Sequence, residues 1–335
     1  SGMEWFCCYG AVLALCAYAA MNRRVQFSFV GTYGNRSAKE ATGNLSKEVP
    51  YLWKQLRQSE DTCPQIYSGA DRPTNSPVTY EVGQQSVERL IHGEFPIHKE
   101  VEASPAKPVD ELYRALKQGN IPVALLSLGA PTEAVTATRA LGWLIQHSVA
   151  MLGTLTTQGN TGSHKEANAT HDSIANIKLL KLSEKKQIPF TLVPLDCTEK
   201  RSVLIDPKGL REIEKQLGKN SFAFQKLLSI AGINSVYGGF YLGRSRHSAH
   251  FPYKDLKYTG VPLHDLTATM VLIDHLQDEH DPLFRYSKKT PLHADKMGNI
   301  GVVRDYMMPH AHVDIAGPIT KNYWPKIIKL LRRYL

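Results

Sequence analysis

Short β-rich runs alternate with helical stretches along the chain, and this alternation constrains the fold more than any other feature. Strands are predicted at residues 25–30, 121–126, 149–152, 190–195 and 300–303. Helices are expected at residues 38–56, 109–117, 132–144, 173–186, 207–217, 266–276 and 323–331. Asp172 and Ser173 should cap the fourth of these helices, and Thr320 the last. Strands separated by helices predict a doubly wound, mostly parallel α/β sheet flanked by helices, in a single domain over residues 3–335.

The run from residue 5 to residue 21 is nearly all apolar and is followed by Asn22, Arg23 and Arg24. It has two interpretations, a targeting or membrane segment and a buried first helix. No basic region precedes it, and it is short for a bilayer span, which needs about 20 apolar residues. Because a predicted strand follows it directly, we favour the buried helix and expect no association with a membrane.

The chain is basic, with a formal net charge of +9, which would permit loose contact with nucleic acid. Its cations are dispersed, however, and the largest groups, at residues 178–186 and 326–333, have the helical spacing typical of solvated helix faces. We therefore expect no specific nucleic-acid partner. A basic interaction module is the weakest of the functional alternatives.

The cysteines are five in number and lack the spacing of a zinc site. An odd number of unpaired thiols predicts a reducing compartment, which we take to be the cytoplasm. Ser1 and Gly2, before Met3, are typical of residues left by an expression vector, and whether Met3 is the natural start stays open. The cysteines are Cys7, Cys8, Cys16, Cys63 and Cys197.

One strand-to-helix connection concentrates sugar-binding chemistry. It carries Gly159-Asn160 and Glu166-Ala167-Asn168, and the predicted helix after it leads to the strand sequence LVPLDCT at residues 192–198. An amide both donates and accepts hydrogen bonds, and a carboxylate can accept from two hydroxyl groups. Turn-forming residues without a binding role are the alternative, because Asn and Gly are common in loops.

This connection and its strand resemble the inosine-uridine preferring nucleoside hydrolases, in which a GN…AEFN loop precedes a helix and a VPLDVT strand end. The resemblance implies that Asn160, Glu166 and Asn168 bind the ribose hydroxyls. Ala167 replaces the phenylalanine of the AEFN motif and so removes an apolar wall of the pocket.

Other segments of this chain resemble family motifs in the same order. TYGN at residues 32–35 resembles the AGN strand end, SGADRP at 68–73 the GADRPL turn, IHG at 91–93 the HG motif, and LSLGAPTE at 126–133 the TGPLTN turn. These matches imply substrate contacts from Asn35 and His92. PLHDLTA at residues 262–268 resembles PLHDPLA and implies that His264 meets the leaving base as a contact or acid. An N-terminal helix cap by Asp265 beside an incidental histidine is the alternative.

The metal site is where the chain departs from the resemblance. The family opens with a strand ending in DxDxGxDDA, whose aspartates hold calcium and deprotonate the attacking water, whereas this chain has Met3, Trp5, Tyr9 and Gly10 at the expected acidic positions. Glu4 is the only carboxylate nearby. Of the implied calcium ligands, Asp265 and the backbone carbonyl of Leu128 remain, too few for an ion that takes about six to eight oxygens. We expect no functional calcium site and no other cofactor in this chain.

Two functional hypotheses follow from the resemblance. The first is hydrolysis of the N-glycosidic bond of inosine- or uridine-type nucleosides, with catalysis weak or lost; full activity would need aspartates upstream of Met3 or a mechanism without metal. The second is a member of the fold that binds a nucleoside, a ribosyl compound or a protein partner without catalysis. Base preference and a homo-oligomeric state stay open, as does the role of the loop at residues 232–260, as a lid or as a surface excursion.

Overall fold

The computed structural model describes residues 2–22, 24–34, 37–74, 104–156, 159–160, 165–200, 202–205, 207–227, 262–277, 283–302, 311–319 and 323–335. Asn35, His92, Thr320 and the loop at residues 232–260 lie outside the described residues.

The secondary structure follows the predicted alternation. The first half contains α1 (Gly2–Met21), β1 (Ser28–Gly31), α2 (Ala38–Gln55), β2 (Gln65–Ser68), β3 (Lys107–Pro108), α3 (Val109–Gln118), β4 (Val123–Ser127), α4 (Thr132–Leu141) and β5 (Ile145–Met151). The second half contains α5 (Ala167–His171), α6 (Ser173–Lys185), β6 (Phe190–Val193), α7 (Leu195–Thr198), α8 (Pro207–Leu217), α9 (His264–Leu276), β7 (Phe284–Ala294), β8 (Ile300–Val302), β9 (Ala311–Ile319) and α10 (Tyr323–Leu331).

The described strands form two hydrogen-bonded groups. One is a three-stranded parallel group in the order β1-β2-β3, and the other has six strands in the order β4-β5-β6-β9-β7-β8. Strands β4, β5, β6 and β9 run parallel, whereas β7 is antiparallel to both β8 and β9. The sheet layer is therefore mostly parallel and has an antiparallel edge, as in many α/β folds.

The apolar run near the start of the chain forms α1, which lies in the core. Leu13, Ala14, Cys16 and Ala17 have no exposed surface. The helix packs against α2, α9 and α10, and the hydroxyl of Tyr334 donates to the carbonyl of Leu13 at 2.9 Å. No helix in the described parts of the chain is long and apolar enough to cross a membrane.

Several predicted elements differ from the observed ones in extent. The strand predicted at residues 190–195 ends at Val193, because Pro194 has no N–H to donate to a ladder and the chain then turns into α7. The helix predicted to reach residue 144 ends at Leu141 and continues as a 3-10 turn. Strands β2, β3, β7 and β9 were not predicted. Strand β7 mixes buried apolar with exposed charged residues, as an antiparallel strand with one solvated face does and a buried parallel strand does not.

Candidate functional site

The loops at the carboxyl ends of the parallel strands are joined to one another. The backbone N–H of Tyr33, after β1, donates to the carbonyl of Ala70, after β2, at 2.7 Å. The fully buried carboxylate of Asp172 accepts from the N–H of Thr74 at 2.7 Å and from the hydroxyl of Thr132 at 2.8 Å. Ligands of open α/β sheets bind at this edge, so the candidate site lies here.

Asp172 does more than the capping role that the sequence indicates. Its second carboxylate oxygen accepts from the N–H of Ala175 at 2.9 Å and so caps α6 as predicted. The bonds to Thr74 and Thr132 also tie the loops after β2 and β4 to that helix. The sequence signals for this role are Thr74, directly after the SGADRP segment, and Thr132, within the LSLGAPTE segment.

Glu166 organises the loop that the resemblance assigns to ribose. Its side chain is 1% exposed, and its carboxylate accepts from the N–H groups of Gly153 at 2.9 Å, Asn168 at 2.8 Å and Ala169 at 2.9 Å. It therefore caps α5 and fixes that helix to the carboxyl end of β5. Gly153 has a φ of +76°, a conformation in which a side chain would be strained.

Asn160 holds the same loop from its other end. Its Oδ1 accepts from the N–H of Ala167 at 2.8 Å. A Cβ on the preceding Gly159 would lie 1.9 Å from the carbonyl oxygen of Lys165, so only glycine allows this close approach. The GN and EAN motifs are thus in direct contact with each other.

Asn168 has a buried side-chain oxygen to which no described residue donates a hydrogen bond. Its side chain is 2% exposed, and its Nδ2 donates to the carbonyls of Met151 at 3.1 Å and Leu128 at 3.4 Å. Leaving a buried acceptor such as this Oδ1 without a donor costs about 1–3 kcal/mol.

His264 and Asp265 begin α9 at the same edge. The Nδ1 of His264 lies 2.6 Å from the hydroxyl of Thr198, at the end of α7. The N–H of Leu195, at the start of α7, donates to the carbonyl of Gly153 at 3.0 Å, so α7 links His264 to the loop that Glu166 organises. Burial lowers the pKa of His264 to about 4, which favours a neutral imidazole at pH 7. Asp265 is 2% exposed.

Asp196 is a site residue to which sequence reasoning gave no role. Its carboxylate accepts from the N–H groups of Leu155 at 2.7 Å and Thr156 at 2.8 Å, and also from the Thr156 hydroxyl. Burial pushes the pKa of Asp196 up, but the hydrogen bonds from Leu155 and Thr156 outweigh it and leave the pKa below its ordinary value. An ionised Asp196 therefore clamps the segment that leaves β5.

A family sequence model described as inosine-uridine preferring nucleoside hydrolase matches residues 10–320. The chain belongs to this nucleoside hydrolase family. A comparison with curated protein sequences finds no match.

Solved structures of nucleoside hydrolases share the fold. The purine-preferring ribonucleoside hydrolase from Gardnerella vaginalis is 19% identical, with a TM-score of 0.67 over 97% of this chain and 95% of the other. The inosine-uridine preferring nucleoside hydrolase from Bacillus anthracis is 15% identical, with a TM-score of 0.65 over 98% and 96%. The type III effector protein XopQ, solved in complex with adenosine diphosphate ribose, is 14% identical, with a TM-score of 0.54 over 97% and 89%.

The calcium that the resemblance attributes to nucleoside hydrolases does not fit the donors described at this edge. The positions of Met3, Trp5, Tyr9 and Gly10 lie within the continuous helix α1 and supply no carboxylate. The carbonyl of Leu128 faces the Asn168 amide nitrogen, a hydrogen-bond donor. No group of three or more His, Cys, Asp or Glu side chains suited to a metal occurs among the described residues.

Proposed function

We propose that this nucleoside hydrolase family member binds a ribosyl compound at the carboxyl edge of its sheet and hydrolyses it slowly or not at all. The observation that supports binding is the buried Oδ1 of Asn168, an acceptor held in place by two bonds from its own Nδ2. A ribose hydroxyl is a donor of the right kind for this atom. Asn160 and Glu166 act through the backbone, because they hold the first residues of α5, the helix that carries Asn168.

Slow chemistry follows from two features of the same edge. Hydrolysis of an N-glycosidic bond needs an activated water, and the described residues offer no carboxylate cluster that would hold a metal for this purpose. The leaving base also needs a proton, and a neutral His264 can donate a hydrogen bond but is a poor proton source at pH 7. Losing both contributions should lower the rate by several orders of magnitude.

Binding can be tested by titrating inosine, uridine and free ribose into the protein in a calorimeter. Asn168→Ala should weaken inosine binding by about 1–3 kcal/mol, roughly 5- to 150-fold, because it removes a buried hydrogen-bond partner. Asn176→Ala is the matched control. Asn176 is also fully buried, with its Nδ2 bonded to the carbonyl of Ala169 at 2.6 Å and its Oδ1 unpaired among the described residues, but it lies inside α6. Equal losses in both variants would contradict the assignment of Asn168.

A further inference from the structure

The short helix α7 is tied to the sheet by two hydrogen bonds. The N–H of Leu195 donates to the carbonyl of Gly153 at 3.0 Å, and the thiol of Cys197 donates to the carbonyl of Gly317, on β9, at 3.5 Å. Leu195 and Thr198 have no exposed surface, and Cys197 is nearly as buried. The side chain of Thr198, at the end of α7, is therefore held in a fixed place beside the carboxyl edge of the sheet.

The hydroxyl of Thr198 has one proton and two acceptors within reach. The Nδ1 of His264 lies 2.6 Å from its Oγ1, whereas the carbonyl oxygen of Leu195 lies 3.4 Å from it. That carbonyl already accepts from the N–H of Glu199 at 2.9 Å. The proton of Thr198 therefore goes to the nearer acceptor, which is the Nδ1 of His264.

The distance between Oγ1 and Nδ1 also indicates which of the two atoms donates. Hydrogen bonds from N–H to oxygen usually span about 2.7–3.2 Å, whereas those from O–H are shorter, about 2.5–3.0 Å to oxygen. The observed 2.6 Å lies below the first range and within the second. An Nδ1 that accepts a hydrogen bond carries no proton, so the ring is neutral and its proton lies on Nε2.

His264 keeps the Nε2 side of its ring for a ligand. The residue is half-buried, and its Nδ1 faces the fully buried Thr198, so the accessible part of the ring lies towards Nε2. A protonated Nε2 donates a hydrogen bond and cannot accept one. A ligand group beside it must therefore carry a lone pair, as the carbonyl oxygens and unprotonated ring nitrogens of nucleobases do.

We propose that Thr198 is a positioning residue that fixes the proton of His264 on Nε2 and so favours ribosyl compounds whose base offers a hydrogen-bond acceptor. The choice of ligand rests on the proposed ribosyl binding, whereas the place of the proton can be measured in the protein alone.

A second threonine–histidine pair in the same fold supplies a matched control. The hydroxyl of Thr191 lies 3.1 Å from the Nε2 of His275, and Thr191 is also buried. His275 is on α9 like His264, but eleven residues further along, about 17 Å away at 1.5 Å per residue. Removal of the Thr191 hydroxyl is thus a similar change far from His264.

The first experiment is a ¹⁵N NMR spectrum of the histidine rings at pH 7.5, in which ring nitrogens with and without a proton resonate at well-separated shifts. His264→Gln identifies the His264 signals by their loss. In the parent protein Nε2 should carry the proton. Thr198→Val should give a mixture of tautomers, Thr198→Ser should restore the parent pattern, and Thr191→Val should leave the His264 signals unchanged.

Two results of this experiment would overturn the proposal. One is a proton on Nδ1 of His264 in the parent protein, and the other is an unchanged His264 pattern in Thr198→Val. The parent spectrum decides the matter even if Thr198→Val does not fold, which circular dichroism checks.

The second experiment is calorimetric titration of inosine and of free ribose. Thr198→Val should weaken inosine binding about threefold or more, because the ring then presents its donor for only part of the time. It should leave the binding of free ribose unchanged, since ribose has no base. An unchanged affinity for inosine, or equal losses for both ligands, would refute the role in ligand selection. Failure of the parent to bind either ligand would instead refute the proposed function, while the NMR spectrum still decides the place of the proton.

Discussion

Single residues at the carboxyl edge differ in how far their polar atoms are satisfied by the described protein groups. Glu166 was predicted to bind ribose directly, and that role stays a prediction, but the three backbone bonds that its carboxylate accepts show a structural task as well. Asn168 combines two bonds from its nitrogen with an oxygen to which no described residue donates. The sequence pattern identifies both residues; it does not distinguish these tasks, because a cap and a ligand contact use the same polar side chains.

Glu166→Gln should lower the free energy of unfolding by about 1–3 kcal/mol, because an amide replaces a charged acceptor of three backbone N–H groups with a weaker one. Urea denaturation followed by circular dichroism measures the change. Glu212→Gln, at an exposed position of α8, is the control and should differ little from the parent. A Glu166→Gln variant as stable as the control would show that the cap contributes nothing.

Acid should destabilise the protein through its buried histidines. Burial lowers the pKa of His171, His264 and His275 to about 4, and the positive charge that His147 can carry adds to the effect on His275. The unfolded chain, with a histidine pKa near 6.5, binds more protons, so stability should be constant above about pH 6.5 and fall as the pH drops towards 4.

The stacked group formed by His147, His275 and Tyr286 makes this dependence testable at one residue. Urea unfolding at pH 7.5, 6 and 5 should show a smaller loss of stability in His275→Phe than in the parent, because the variant cannot be protonated there. A parallel loss in both proteins would mean that His275 contributes nothing to acid sensitivity.

At the scale of elements, the apolar run at residues 5–21 predicted helix α1. The motifs at residues 32–35, 68–73 and 126–133 predicted turns after strands. The antiparallel strands β7 and β9 were missed. Residues 284–294 of β7 mix exposed Lys288 and Lys289 with buried Phe284 and Leu292, and such a strand is fixed by its partners β8 and β9 rather than by its own composition. The division of the described strands into two hydrogen-bonded groups could not be predicted either, because pairing depends on which strands meet in three dimensions.

Helix α1 should be essential to stability, since it fills the layer between α2 and α9. Leu13→Ala removes a side chain with no exposed surface and should cost about 2–5 kcal/mol of unfolding free energy. Leu335→Ala, at a position that is 58% exposed, should cost far less. Chemical denaturation of both variants compares them directly, and equal midpoints would show that α1 is not part of the cooperative core.

For the whole molecule, the order of motifs along the chain predicted the family, and the family model confirms it. The order of the motifs could not predict which hydrogen bonds join the loops. The bonds of Asp172 to Thr74 and Thr132, and of Asp196 to Thr156, join segments far apart in sequence. Such contacts follow from the packed sheet and not from local pattern, so a sequence alone predicts the edge of the site more readily than its internal connections.

We propose that the site retains ribosyl binding while the chemistry of hydrolysis is weak or lost. The most direct test is a proton NMR record of inosine incubated with a near-stoichiometric amount of the protein and calcium. We predict that the ribose proton signals broaden on binding and that no free hypoxanthine or ribose accumulates over hours. Rapid, calcium-dependent formation of ribose that a chelator abolishes would refute this proposal, because it would require a working metal site in this chain.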